Sequence, residues 1–343
     1  MNCLTHMKVL SVIIIVFASV LLPNVAAAQD IHFSQFYETP LYRNPALAGI
    51  VKGDVRVQTV YRNQWNSISA AYKTASLNAE YKMPIGNADD FLTLGLQAFY
   101  DKAGTIAFTT THLLPAVNYH KSISENRNTY LSVGFMGGLV QRRFDRSKMT
   151  TNSNYEGLGD GESFNQTQYS YLDGSAGISL NSDFGNSVDN SIVIGLAYHH
   201  FNKPRNSFYE NANITLDPKW VLSAGLKFNV DDYSYITVLA DHSRQSTYQE
   251  TMAGAMYGLK VGHELDNPDY TFHAGAFLRW NDAIIPTFKM DYHPYSIGLS
   301  YDVNISKLKT SSAGRGGFEL SLSYVGFLDR NNSSANAVKC PQF

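Results

Sequence analysis

Residues 91–100 read FLTLGLQAFY, and their side chains sort by parity: Leu92, Leu94, Leu96 and Ala98 on one side, Thr93, Gly95 and Gln97 on the other. Strict alternation predicts a strand with one apolar face and one small or polar face. The pattern recurs at Leu131, Val133 and Phe135, at Ala176, Ile178 and Leu180, and at Ile192, Ile194, Leu196 and Tyr198. It returns at Trp220, Leu222, Ala224, Leu226 and Phe228, at Tyr270 to Leu278, at Tyr295 to Val303, and at Phe318, Leu320, Leu322 and Tyr324. The opposite positions hold Gly, Ser, Asn, Asp or His, with few of the Lys and Glu residues that decorate a water-facing sheet.

Alternation alone fits a soluble sandwich as well as a membrane barrel. Three features favour the barrel. Many apolar faces end in Tyr or Trp (Tyr81, Tyr100, Tyr119, Tyr198, Trp220, Tyr270, Trp280, Tyr324), as aromatic girdles at two membrane interfaces require. The segments run about 9 to 12 residues, the length of a tilted membrane strand. The chain is also rich in aromatics, with 22 Tyr and 19 Phe in 343 residues, yet its mean hydropathy is only -0.21, as alternating lipid-facing and lumen-facing positions give.

From Asp54 to Leu328 the segments number about fourteen, an even count as in single-chain bacterial barrels. The expected fold is therefore all-β, a transmembrane up-and-down antiparallel barrel in the bacterial outer membrane. Short turns are expected at Pro84–Asp90, Ser122–Asn128, Ser182–Asn190, Val230–Tyr233, Glu264–Asp269 and His293–Pro294. The longest polar connections, Asp145–Gln168 and Asn202–Asp217, fall after odd strands. Around Ile106–Tyr119 and Ile284–Tyr292 the alternation is least regular.

Outside the barrel, Lys8, the apolar stretch Val9–Leu22 and Ala26-Ala27-Ala28 make a signal peptide with cleavage expected after Ala28. The remaining divisions are a periplasmic lead-in at 29–53, the barrel at 54–328 and a tail at 329–343. Cys3 departs with the signal peptide, so Cys340 has no intramolecular partner and no disulfide framework is expected. A formal charge of -2 and a pI near 6.5 offer no basic stripe for nucleic acid.

Residues for chemistry are sparse. His199 and His200 are adjacent in a strand, where neighbours point to opposite faces, so they are not expected to share a metal ion. His112, His120, His242 and His273 lie in separate segments without metal-ligand spacing. No Gly-x-Ser-x-Gly elbow is present, and the glycines of 157–161 and 314–317 do not join a strand to a helix. Neither an enzyme, a cofactor nor a metal site is expected.

The lead-in Asp30–Gly49 reads DIHFSQFYETPLYRNPALAG and has no clean periodicity. Asp30, Phe33, Ser34, Gln35 and Phe36, then Pro40, Leu41, Asn44, Pro45, Ala46 and Gly49, resemble the opening motif of the PorP/SprF family of outer-membrane proteins. Ile31 departs where that family usually has Pro. The resemblance continues through Tyr61–Trp65, Ser300–Ser306, Gly316–Leu322 and the ending Cys340–Phe343. It implies a non-enzymatic component of the type IX secretion and gliding machinery of Bacteroidetes. Members of that family serve the periplasmic ring and motor, or the surface delivery and anchoring of an adhesin-like cargo.

On that resemblance the candidate partner-binding residues are Phe33, Gln35, Phe36, Pro40, Asn44 and Pro45 in the lead-in and Cys340 and Phe343 in the tail. The expected partners are outer-membrane lipid and either type IX ring and motor proteins or a secreted surface adhesin. The rival expectation is an outer-membrane channel or hydrophobic-compound transporter. A lead-in of about 25 residues is short for the plug such transporters carry.

Overall fold

The computed structural model describes residues 30–328 apart from 65–71, 86–88, 125–127, 158–160, 163, 186–189, 263–267, 307–308 and 310–313. Fourteen antiparallel strands close into a single barrel, each hydrogen-bonded to its sequence neighbours, with the last paired to the first. They are β1 (Val55–Gln64), β2 (Tyr72–Pro84), β3 (Phe91–Ala103), β4 (Phe108–Ser124), β5 (Thr129–Arg143), β6 (Gln168–Asp183) and β7 (Ser191–His199). Then come β8 (Lys219–Asn229), β9 (Ser234–Gln245), β10 (Tyr248–Val261), β11 (Tyr270–Arg279), β12 (Ala283–Tyr292), β13 (Tyr295–Asn304) and β14 (Arg315–Gly326). The seam runs from Val55↔Gly326 to Gln64↔Gly317 without a register shift.

Burial settles which face looks inward. Leu94, Phe135 and Leu299 are 46%, 55% and 53% exposed, whereas Gln97, Asn118 and Ser132 are 0% exposed. A water-soluble sheet would have the reverse. Large apolar side chains turned outward all round, over a polar interior, make sense only against hydrocarbon. Tyr270 stacks on Tyr292, Tyr198 on Trp220, and Tyr295 leans on Tyr324, so neighbouring strands supply the aromatic rims as cross-strand pairs.

The two irregular stretches each contain a proline in mid-strand. Between β4 and β5 the ladder jumps from Leu113↔Leu139 to Ala116↔Met136, omitting Pro115, which has no N–H to give. A side chain at Gly138 would come within 2.2 Å of the Leu113 carbonyl oxygen, so glycine lets β5 pass close to the β4 backbone just before the proline. Pro286 sits in the corresponding gap of the β12–β13 ladder, between Ile284↔Val303 and Thr287↔Ser300.

One end of the barrel carries the short connections: β8–β9 uses residues 230–233, and β12–β13 uses His293 and Pro294. The other end carries the long ones, 144–167 and 200–218. These two pack together: Phe144 makes an edge contact with Phe208, and the Gln166 N–H donates to the Phe208 carbonyl at 3.3 Å. At the short-turn end Asp90 accepts from Tyr119 Oη at 2.7 Å, Lys121 Nζ at 2.8 Å and the Ser122 N–H at 2.9 Å. Those donors, Lys121 foremost, hold its carboxyl down at about 2.

Two outcomes follow from this wall. Leu299 faces lipid between Phe288 and Leu320, so Leu299→Arg should destabilise the folded barrel by roughly 2–4 kcal/mol in reversible unfolding from lipid vesicles. Because Asp90 is depressed in the folded state, its contribution is complete above about pH 4 and is lost as pH falls through about 2. Carboxyl-carbon NMR of Asp90 should show that transition, and Lys121→Met should move it upward.

Candidate functional site in the barrel lumen

The segment Ile31–Val51 is threaded through the barrel and fills its interior. Three short turns shape it: 3-10 turns at Phe36–Glu38 and Pro45–Leu47 and one helical turn at Pro40–Arg43. Pro40 and Pro45 open their turns, where a missing N–H costs nothing. Asn44 caps the last turn by accepting the Ala46 N–H at 2.8 Å. Gly49 turns the chain out with φ 78°.

Four groups of contacts hold this segment in place. At the long-loop end Glu319 accepts the backbone N–H groups of Ser34 and Gln35 at 2.6 and 2.7 Å. Arg62 bonds Glu319 and also Asp302 at 2.9 Å, while Arg279 reaches Asp302 at 3.0 Å. Ser34 Oγ sits among them, donating to Asp302 at 2.5 Å and accepting from Arg62 and Arg279 at 2.6 Å each. Gln35 is clamped too, its Nε2 donating to the Glu319 carbonyl and its Oε1 accepting from Ser321.

At mid-height Glu38 takes Gln58 at 2.7 Å and Lys289 at 2.9 Å, and Asn78 donates to its carbonyl. Phe36 and Tyr37 pack on Phe277 with centroids 5.4 and 5.3 Å away, in a cluster with Leu239, Met252, Met256 and Ile285. Beside this cluster Arg43 makes a two-point bond to Asp241 at 2.6 and 2.5 Å, and from β7 His199 bonds the Arg43 carbonyl. Asn44 Nδ2 donates to the Ile178 carbonyl and lies against Gly195, where a Cβ would come within 2.7 Å of it. Leu41 packs with Leu114, Ala116, Met136 and Val140.

At the short-turn end Asn118 donates to the carbonyls of Ala46 and Ala48, and Ser179 to that of Ala46, each at 2.8 Å. The Gly49 N–H reaches Glu80, itself paired with Arg56 at 2.8 Å. Arg56 and Lys82 donate to the carbonyls of Ile50 and Val51. With Phe99, Lys219 and Met252 closing on Phe33, Tyr42 and Phe36, all fourteen strands touch the segment.

This chemistry is consistent throughout. An irregular segment exposes main-chain donors and acceptors that must be satisfied wherever they are shielded from water. The wall supplies carboxylates to its N–H groups and amides, hydroxyls and cations to its carbonyls. Arg56, which donates to one of these carbonyls, is itself paired with Glu80, so its buried charge is compensated.

Six of the candidate partner-binding residues, Phe33, Gln35, Phe36, Pro40, Asn44 and Pro45, lie in this segment, and all are buried against the wall or within the segment. Cys340 and Phe343 lie outside the described residues. Two expectations need correction. A lead-in of this length is enough to occupy the lumen, because ion pairs and main-chain bonds from the wall compensate for its small size. His199 and His200 do not face opposite ways: β7 ends at His199, and His200 has φ 57°, which swings its ring inward onto Asp173 at 2.8 Å. They still hold different partners, since His199 bonds Ser175 and the Arg43 carbonyl. Among the described residues no group of His, Cys, Asp and Glu is arranged to hold a metal.

Arg62, Glu319 and Asp302 each lie in a family-like stretch, but nothing local in the sequence marks their role beyond charge on a face otherwise made of Gly, Ser and Asn.

Glu319→Ala would strip two N–H groups and Arg62 of their acceptor, at a cost of about 3–5 kcal/mol for breaking a buried pair. In planar bilayers the wild-type barrel should pass no steady current and the Glu319→Ala variant should flicker open. A steady wild-type current would show that the segment does not seal the lumen.

The comparisons with known proteins complete the site. Among solved structures, the chain is similar to outer-membrane barrels. The toluene transporter TbuX from Ralstonia pickettii is 11% identical, with a TM-score of 0.49 over 89% of this chain and 96% of that one. The CymD monoaromatic hydrocarbon channel is also 11% identical, with a TM-score of 0.47 over 89% and 96%. BamA from Haemophilus ducreyi lacking POTRA domains 1-3 is 8% identical, with a TM-score of 0.41 over 79% and 70%. No curated protein sequence matches the chain. The profile of the type IX secretion system membrane protein PorP/SprF matches residues 25–324, from before the lumenal segment to within the final strand, and the chain belongs to that family.

Proposed function

We propose that this protein is an exported outer-membrane barrel that serves type IX secretion, supporting either the periplasmic ring and motor or the surface anchoring of an adhesin-like substrate. Membership of the family across residues 25–324 carries this reading. In it, the signal peptide is cleaved after Ala28, the short-turn end faces the periplasm and the long loops face outward, as in bacterial barrels generally. The family and the fold are those of a membrane secretion or channel barrel, not of an enzyme class.

The occupied lumen weighs against the transporter reading. A hydrophobic-compound channel needs an apolar route past its plug, whereas here the plug is bound by charged and amide groups from one mouth to the other. Cys340 and Phe343 are then the candidates for direct contact with periplasmic components. The six lumenal candidates act on the barrel itself while the segment is seated.

The experiment is a chromosomal deletion scored for surface adhesin, paired with crosslinking of intact cells and purification of the tagged barrel. Loss of surface adhesin and co-recovery of ring proteins or of the adhesin would support the proposal and choose between its two forms. Unchanged secretion, with recovery of the barrel alone, would refute it.

A further inference from the structure

The wall of the lumen binds the main chain of the segment as well as its side chains. Glu319 and Glu80 take N–H groups of the segment, while Asn118, Ser179, Asn78, His199 and Lys82 take its carbonyls. Such bonds are available to any polypeptide, because every residue except proline offers the same donor and acceptor.

A second observation lies at the short-turn mouth. There a cleft beside the segment is lined by Val51, Arg56, Gln58, Lys289, Ser296 and Ser323. Arg56 and Gln58 are 4% and 1% exposed and share the inner face of β1. Arg56 Nε and Gln58 Oε1 have no hydrogen-bond partner in the protein. Two residues apart on one face of a strand, a buried donor and a buried acceptor are groups that a peptide unit can satisfy.

The route out of the lumen is also set. The segment continues into β1 through Lys52 and Gly53 at this same mouth, and Lys52 is exposed. Its covalent link to β1 is at this mouth, so withdrawal toward the short-turn side leaves the ladder of fourteen strands intact.

We propose that the lumen is a polypeptide-binding site whose resident occupant is Ile31–Val51, and that a segment of an exported protein enters at the Arg56–Gln58 cleft and displaces it. The inference rests on the type IX reading, which supplies exported proteins on the periplasmic side. Exchange is thermodynamically feasible because the incoming main chain replaces the bonds the resident one gives up. The side-chain locks of Ser34 and Arg43 set the threshold for opening.

Site-specific photocrosslinking in living cells tests this. A benzoylphenylalanine at Phe277 lies under Phe36 and Tyr37, deep in the lumen, and the same group at Phe288 faces lipid as the control. Ser296, in the cleft, is the second lumenal position should the Phe277 variant fail to reach the membrane. In secreting cells the lumenal positions should yield an adduct that mass spectrometry identifies as an exported protein. The adduct should be absent at Phe288 and in cells whose secretion is blocked. If Phe277 and Ser296 give only internal crosslinks in secreting cells while deletion of the gene abolishes surface adhesin, displacement is wrong and the type IX reading stands. If deletion leaves secretion intact, both fail.

Discussion

In hydrocarbon no water is available to satisfy backbone N–H and C=O groups, and every other feature of this molecule follows from that restriction. A sheet can meet it only by closing on itself, so β1 must pair with β14. Closure then leaves just two faces. The outer one must be apolar, and the inner one, screened from lipid, is free to carry charge. Arg62, Asp302 and Glu319 could not stand at this depth on the outer face, where a single charge costs several kcal/mol.

A barrel of this size encloses space that side chains from the wall do not fill. Here the chain fills it with its own first residues. The segment buries apolar side chains along its length, Phe33, Phe36, Tyr37, Leu41, Leu47 and Ile50 among them, but its irregular main chain also brings donors and acceptors that must be met. Its retention depends on polar contacts made in a shielded space, where each unmet group is costly. The wall therefore holds an irregular main chain shaped by three short turns, with side-chain locks at Ser34, Gln35, Arg43 and Asn44.

The same residues carry two kinds of information. Gly177 and Gly195 look like ordinary strand glycines, yet both lie under Asn44 and leave the space that its amide occupies. Pro115 and Pro286 blur the alternation of two strands, and the fold accommodates each with a short gap in one ladder. His200 belongs by spacing to a strand but ends it through a left-handed backbone, a choice that the bond to Asp173 stabilises.

Period-two alternation and aromatic ends determined the barrel and its strand number, because each is a local property written within about ten residues. The opening motif, through its resemblance to a family, also pointed to secretion. The place of Ile31–Val51 was decided only by tertiary structure. Ser34 and Glu319 are 285 residues apart, and no periodicity connects them. They meet because ring closure sets Arg62 opposite Glu319 across the β1–β14 seam, and a segment without periodicity of its own can be positioned only by the walls that enclose it.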